Sequence, residues 1–301
     1  LNLPEFTSVT SLNQMFYNCT SLKTLDLSRF NTSKVVSCQS LFAGCSELQS
    51  INLAGWDTAN VERMDEMFRG CKKLTNVDVS GFNTAKVTRM TRMFNDCSSL
   101  STIDISNFKY TSLTSCWSMF AGCSSLETID VSKMDVSNVT ELYSMFQNCS
   151  SLKSINLSSF VTTKCTNFGN MFDNCTSLKE IDLSALEMTA NGLDSGNTML
   201  SGCTGLTKII TPKSIKSGFS IDLPAGKTWY KEKISKVDSI TNAVCSASTK
   251  VTLYDQFAPV QFSTSWRTEV ASLGLTGITT ASNITGIAFD DYASFNSSTK
   301  K

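Results

Sequence analysis

The sequence contains no histidine. That removes the side chain best suited to general-base work near neutral pH, the imidazole metal ligand, and every Ser-His or Cys-His nucleophilic pair. Net charge is also missing: 26 basic residues balance 26 acidic ones, and charged residues form only 17% of the chain. Without a cationic surplus there is no electrostatic footprint of a nucleic-acid binder, so no nucleic-acid partner is expected. No run of 18 apolar residues occurs, so no membrane-spanning segment is expected. Leu1 opens the chain without a signal-peptide pattern, which reads as a mature fragment or a cloned piece. Cys-x-x-Cys is absent despite twelve cysteines, and neither a metal site nor a cofactor is expected.

What the sequence does have is repetition. Met-Phe-x-x-Cys-x-x-Leu, or a close variant, begins at Met15, Leu41, Met67, Met93, Met119, Met145 and Met171, each 26 residues after the last, and an eighth copy begins at Met199. One unit of this size cannot bury its own apolar face, so consecutive copies must pack on one another. Residues present in every copy are then expected to build the stack, because chemistry done once needs a constellation found once.

Within a copy, Leu74-x-x-Val77-Asp78-Val79 alternates with the period of a strand, and Ile103-Asp104-Ile105, Ile129-Asp130-Val131 and Ile155-Asn156-Leu157 repeat the pattern. The return half, from Phe82 through Val87 and Met90 to Cys97, is expected to hold a short strand and a helical or 3₁₀ turn. Gly44, Gly70, Gly122 and Gly202 permit positive φ before the cysteine, and Asn18, Asn148 and Asn174 tolerate it. Eleven of the twelve cysteines stand in repeat positions otherwise filled by small or apolar residues, so they are read as buried thiols, ahead of disulfides or metal ligands.

Leu-x-x-Ile-x-Leu in a repeat of this length is the pattern of leucine-rich repeats. The longer phrase, Ser-Leu-x-x-Ile-Asp-Leu-Ser-x-Phe-x-Thr followed by Val-Thr-x-Met-x-x-Met-Phe-x-x-Cys, resembles the BspA-like leucine-rich-repeat surface proteins of bacteria over about residues 1–211. The resemblance implies a right-handed superhelix displayed on a bacterial cell surface, or secreted, and adhesion to host or neighbouring-cell molecules. The expected fold is therefore an α/β solenoid, a leucine-rich-repeat superhelix of 26-residue coils with a parallel β-sheet. Leu1 to Leu3 would form its first strand. The expected domains are the repeats at 1–211, a C-terminal cap at 212–230, and a small β-rich or mixed module at 231–301. In that module Val251 to Tyr254 and Ile284 to Phe289 read as strands and Glu269 to Leu275 as a short helix.

Two columns of polar residues remain. Asn2, Asp26, Asn52, Asp78, Asp104, Asp130, Asn156 and Asp182 sit mid-strand and point outward. Hydrogen bonding to the serine two residues on is the first reading, ahead of Ca²⁺ binding or glycosidase-type carboxylate pairs. The positions that vary between copies are the candidate binding surface: Lys23, Gln49, Thr75, Ser101, Glu127, Lys153 and Lys179 after the strand leucine, with Arg29, Asn107 and Lys133 beyond the strand. A non-catalytic recognition or adhesion protein follows, whose partner is a host or bacterial surface protein or glycan. The alternatives are a spacer that displays another module, a carbohydrate-binding surface protein, and an enzyme housed in 231–301.

Overall fold

The computed structural model describes residues 8–190, 193, 196–231, 235–241, 244–245 and 251–255. Apolar positions that recur every 26 residues become one continuous core. Phe16, Phe42, Phe68, Phe94, Phe120, Phe146 and Phe172 stack ring on ring along it, with centroids 5.4–5.7 Å apart. This near-parallel stacking buries a large apolar surface at each step. Trp56 takes the place of a phenylalanine in a second column, lies 6.3 Å from Phe82, and donates its indole N–H to the Leu27 carbonyl at 3.0 Å.

The expected α/β solenoid, a right-handed superhelix with a continuous parallel sheet and a helical turn, is corrected by the secondary structure. Among the described residues there is no helix, and the strands are two or three residues long and divide among four small sheets. They are β1 (Thr24–Asp26), β2 (Ser50–Asn52), β3 (Glu180–Asp182), β4 (Glu187–Met188), β5 (Lys208–Ile210), β6 (Ser214–Ile215), β7 (Ser220–Asp222), β8 (Trp229–Lys231), β9 (Ser235–Val237), β10 (Ser239–Thr241) and β11 (Thr252–Tyr254). β1 and β2 pair in parallel with Leu25 opposite Ile51, whereas the copies between residues 53 and 179 contain no strand.

The local chemistry explains why the strands are short and why the Met-Phe segment is not a helix. The alternation that reads as a strand is correct about direction: Val77 and Val79 are buried while Asp78 is exposed. The strands that form end at the outward Asp or Asn because it captures the N–H two residues on, as Asp26 Oδ1 does with Ser28 at 2.9 Å at the end of β1. That bond bends the chain out of an extended ladder.

In the Met-Phe segment, alternate N–H groups have different destinations. Those of Met15, Tyr17 and Cys19 close turns onto residues three back, while those of Leu12, Gln14, Phe16 and Asn18 reach the carbonyls of Ser37, Gln39, Leu41 and Ala43 in the next copy. A helix would need all of them pointing the same way. Left-handed residues every fourth position enforce the alternation. Gln14 and Asn18 have φ of 59° and 55°, and the pattern recurs at Ser40 and Gly44, Glu66 and Gly70, and Arg92 and Asp96. The expected positive φ at the glycines and asparagines before cysteine is present. The column beginning at Gln14, occupied by non-glycine residues in every copy to Asn170, carries no glycine signal.

A buried threonine column links the copies a second time. Thr32, Thr58, Thr84 and Thr162 each donate to a carbonyl about one copy on and accept the N–H of the same residue; for Thr84 that residue is Lys109, at 2.9 and 2.7 Å.

At the far end, β3 and β5 pair in parallel, β11 lies antiparallel between β5 and β8, and β9 completes a five-stranded sheet. β7 pairs with β10, and β4 with β6. Residues on both sides of position 231 thus share one sheet, and Val251 and Leu253 are buried against the last copy. The strand at 252–254 agrees with the sequence reading. The readings at Leu1 to Leu3, 269–275 and 284–289 lie outside the described residues. Among the described residues, no helix is long and apolar enough to cross a membrane.

Candidate functional site

The core fixes which positions are left for contact with other molecules. Lys23, Gln49, Thr75, Ser101, Glu127, Lys153 and Lys179 follow leucines packed against the core, and all seven are exposed. The backbone brings them together in pairs: Gln49 N–H donates to Lys23 O at 2.8 Å, Ser101 to Thr75 at 3.1 Å, and Lys153 to Glu127 at 2.9 Å. Lys153 and Glu127 also form a 2.6 Å ion pair, with both side chains more than half exposed, so it adds little stability. Arg29, Asn107 and Lys133 are exposed on the other side of the Asp/Asn column. Between Arg29 and Asn107 stand Gly55 and Gly81, which leave a shallow recess lined by Trp56, Phe82 and Asp78.

The Asp/Asn column between these two sets positions the chain. Asp26, Asn52, Asp78, Asp104, Asp130, Asn156 and Asp182 each accept the N–H of the residue two ahead, at 2.8–3.1 Å. These bonds hold the ionised form of the aspartates. The Ser80, Ser106 and Ser132 hydroxyls, and then their N–H groups, lower the pKa of Asp78, Asp104 and Asp130, and the Ser28 N–H does the same for Asp26. Among the described residues, no group of three or more Cys, Asp or Glu is placed to hold a metal ion.

The cysteine ladder faces inward. Cys45, Cys71, Cys97, Cys123, Cys149, Cys175 and Cys203 are buried, and each Sγ–H donates to the carbonyl of a core phenylalanine in the preceding copy, from Phe16 to Phe172, at 3.0–3.3 Å. Burial pushes the thiols of Cys97, Cys149 and Cys203 up to about 12. A buried thiol held protonated is a poor nucleophile.

A charged cluster on the Met-Phe side went unnoticed in the sequence reading. Asp65 is buried and receives Arg63 Nε on one carboxylate oxygen at 3.0 Å and Arg89 Nε on the other at 3.1 Å. The adjacent Glu66 receives Arg69 Nη1 at 3.4 Å and Arg92 Nη1 at 3.5 Å. The Arg92 guanidinium lies 4.2 Å over the Trp117 ring, a cation–π contact that limits its freedom. The copies are in parallel register here, Ser37 to Arg63 to Arg89 to Ser115, which puts the arginines side by side. The available signal was compositional: four of the six arginines in the chain fall between residues 63 and 92.

Comparison with known proteins adds a family. Residues 2–103 and 97–211 match the family described as "Mycoplasma protein of unknown function, DUF285". No curated protein matches the chain. A leucine-rich-repeat protein of T. pallidum, known from its crystal structure, shares 20% identity and aligns over 56% of this chain and 70% of its own length; its TM-score of 0.37 is too low to argue a shared fold. The two matched segments together span the 26-residue copies and more than half of the sequence, and on that ground the chain belongs to the DUF285 family.

Proposed function

We propose that the chain is a non-catalytic recognition protein, displayed at or released from a bacterial cell surface, that binds a host or neighbouring-cell macromolecule through the side chains that differ between copies. The observation that supports this reading most is the division of labour within the repeat. Positions shared by the copies are buried or tied up in Asx turns and inter-copy hydrogen bonds, whereas the ten variable positions from Lys23 to Lys179 are all exposed. A surface of polar and charged side chains on a tightly bonded frame suits a broad contact made of many modest hydrogen bonds, for which the backbone needs little ordering. The BspA-like resemblance of the repeat points the same way.

The test is capture of ligands by the immobilised full chain from a panel of extracellular-matrix proteins, mucins and surface proteins of other bacteria. Saturable binding that weakens when Lys153 and Lys179 are replaced by Ala supports the reading. No binding across the panel, with a sample shown to be folded, overturns it.

A further inference from the structure

We propose that the arginine cluster around Asp65 and Glu66 is a docking site for an acidic, carboxylate-bearing peptide segment of a partner protein; this deepens the recognition reading by naming a partner chemistry.

Asp65 is the organising group. Its side chain is only 5% exposed, and it engages Arg63 and Arg89 through their Nε atoms alone. The terminal nitrogens of both guanidiniums make no hydrogen bond among the described residues, although the two side chains are 43% and 47% exposed. A buried carboxylate therefore holds two guanidiniums by their inner edges and leaves their outer edges presented to solvent. That outer edge is the planar fork that matches a carboxylate bidentately. Glu66 steadies the second pair, Arg69 and Arg92, and Trp117 backs Arg92.

The charge does not cancel. Four guanidiniums face two carboxylates, so the cluster keeps a positive surplus within a chain whose net charge is zero. Lys72 and Asp96, at the rim, offset each other. Next to Arg69 lies an open recess lined by Tyr17, Gly44, Gly70 and Lys72. Arginine with tryptophan and tyrosine is the composition of interface anchors. Pre-fixed guanidiniums lose less freedom on binding than free ones, which favours this cluster over the scattered surface lysines.

The probe is a fluorescent N-acetylated peptide of alternating Glu and Ala, titrated with the full chain at low ionic strength and read by polarisation. Saturable binding is expected to weaken about tenfold in Arg92→Gln and in Arg63→Gln/Arg89→Gln/Asp65→Asn, which removes the clamp without leaving a buried charge unpaired. Arg63→Lys/Arg89→Lys keeps the charge and loses the fork, so it should also weaken binding while its unfolding midpoint shows that it folds. The same titration is run with a heparin-derived sulfated oligosaccharide. Tighter binding of that oligosaccharide, lost in the same variants, would assign the cluster to glycans and overturn the proposal. Peptide binding that is absent, or unchanged in the arginine variants, overturns it too. A chain that captures a panel ligand yet ignores the peptide defeats this inference and leaves the recognition reading standing.

Discussion

Replacing Thr84 with Val isolates one inter-copy bond pair without making a hole. The Thr84 hydroxyl is fully buried, donates to Lys109 O at 2.9 Å and accepts Lys109 N–H at 2.7 Å. Valine has nearly the same shape, so the core stays filled and the loss is confined to two hydrogen bonds. Each contributes roughly 0.5–1.5 kcal/mol net, and the two orphaned groups belong to an exposed residue that water can reach in part, so the total should be about 1–2 kcal/mol. Urea unfolding read by tryptophan fluorescence, with the m value checked for constancy, measures the shift. Native-state exchange of the Lys109 amide gives the local counterpart, and its protection should fall about tenfold for each 1.4 kcal/mol. An internal control exists, because the equivalent position in a later copy is already Val136, buried and without a hydroxyl. Val136→Thr should gain up to about 1 kcal/mol if the register carries through to residue 161. Unchanged or raised stability in Thr84→Val would refute the claim that the threonine column ties the copies together.

Other outcomes follow from the same geometry. Thiol labelling of the native chain at mildly alkaline pH should modify the exposed Cys19 first and the half-buried Cys245 slowly, and the ten buried cysteines only after unfolding; ready labelling of Cys97 or Cys149 in the native state would contradict the burial that pushes their pKa up to about 12. Ser144 combines a φ of 53° with a buried hydroxyl that finds no partner among the described residues, so Ser144→Gly should stabilise by about 1 kcal/mol after the entropy lost to glycine is subtracted, and a lowered unfolding midpoint would count against the strain. Asp26, Asp78, Asp104 and Asp130 have lowered folded pKa values, so their contribution is present above the unfolded value of about 3.9 and is lost as pH falls through the folded values. Asp78→Asn/Asp104→Asn/Asp130→Asn keeps the acceptor oxygen that Asn52 and Asn156 already use and should therefore show a shallower acid-induced loss of stability than wild type; an identical acid profile would argue that these turns do not depend on ionisation.

Much of the core was legible in the sequence because burial depends on side-chain chemistry, which repeats: Leu74, Val77, Phe82, Val87 and Cys97 are all buried, and Asp78 points out as its neighbours point in. The backbone was less legible. Whether Met93-Phe94 sits in a helix depends on the direction of alternate N–H groups, and that is set by left-handed residues such as Glu66 and Arg92, whose types carry no preference for positive φ. The strand reading failed in extent for a related reason, since a carboxylate such as that of Asp26 both marks the outward face and ends the extended segment by taking the Ser28 N–H. Of the surface, the ten variable positions could be read as exposed from the repeat frame alone. The Asp65 clamp could not, because its members come from two copies and differ from their column neighbours; Arg63 and Arg89 follow Ser37 and precede Ser115. Only the crowding of arginine into residues 63–92 hinted at it.

The central claim is that what repeats in this chain holds it together and what varies makes its contacts. The most direct test is a paired scan of the full chain, in which stability and binding to the ligand captured in the panel are measured for each variant: Ala at the ten exposed positions, Gln at Arg63, Arg69, Arg89 and Arg92, and conservative changes at Thr58, Thr84, Phe94 and Cys97. The expected result is a separation, with the exposed set containing the changes that weaken binding at unaltered unfolding midpoint and the repeated set those that lower the midpoint. Binding losses that simply track stability across both sets would contradict it.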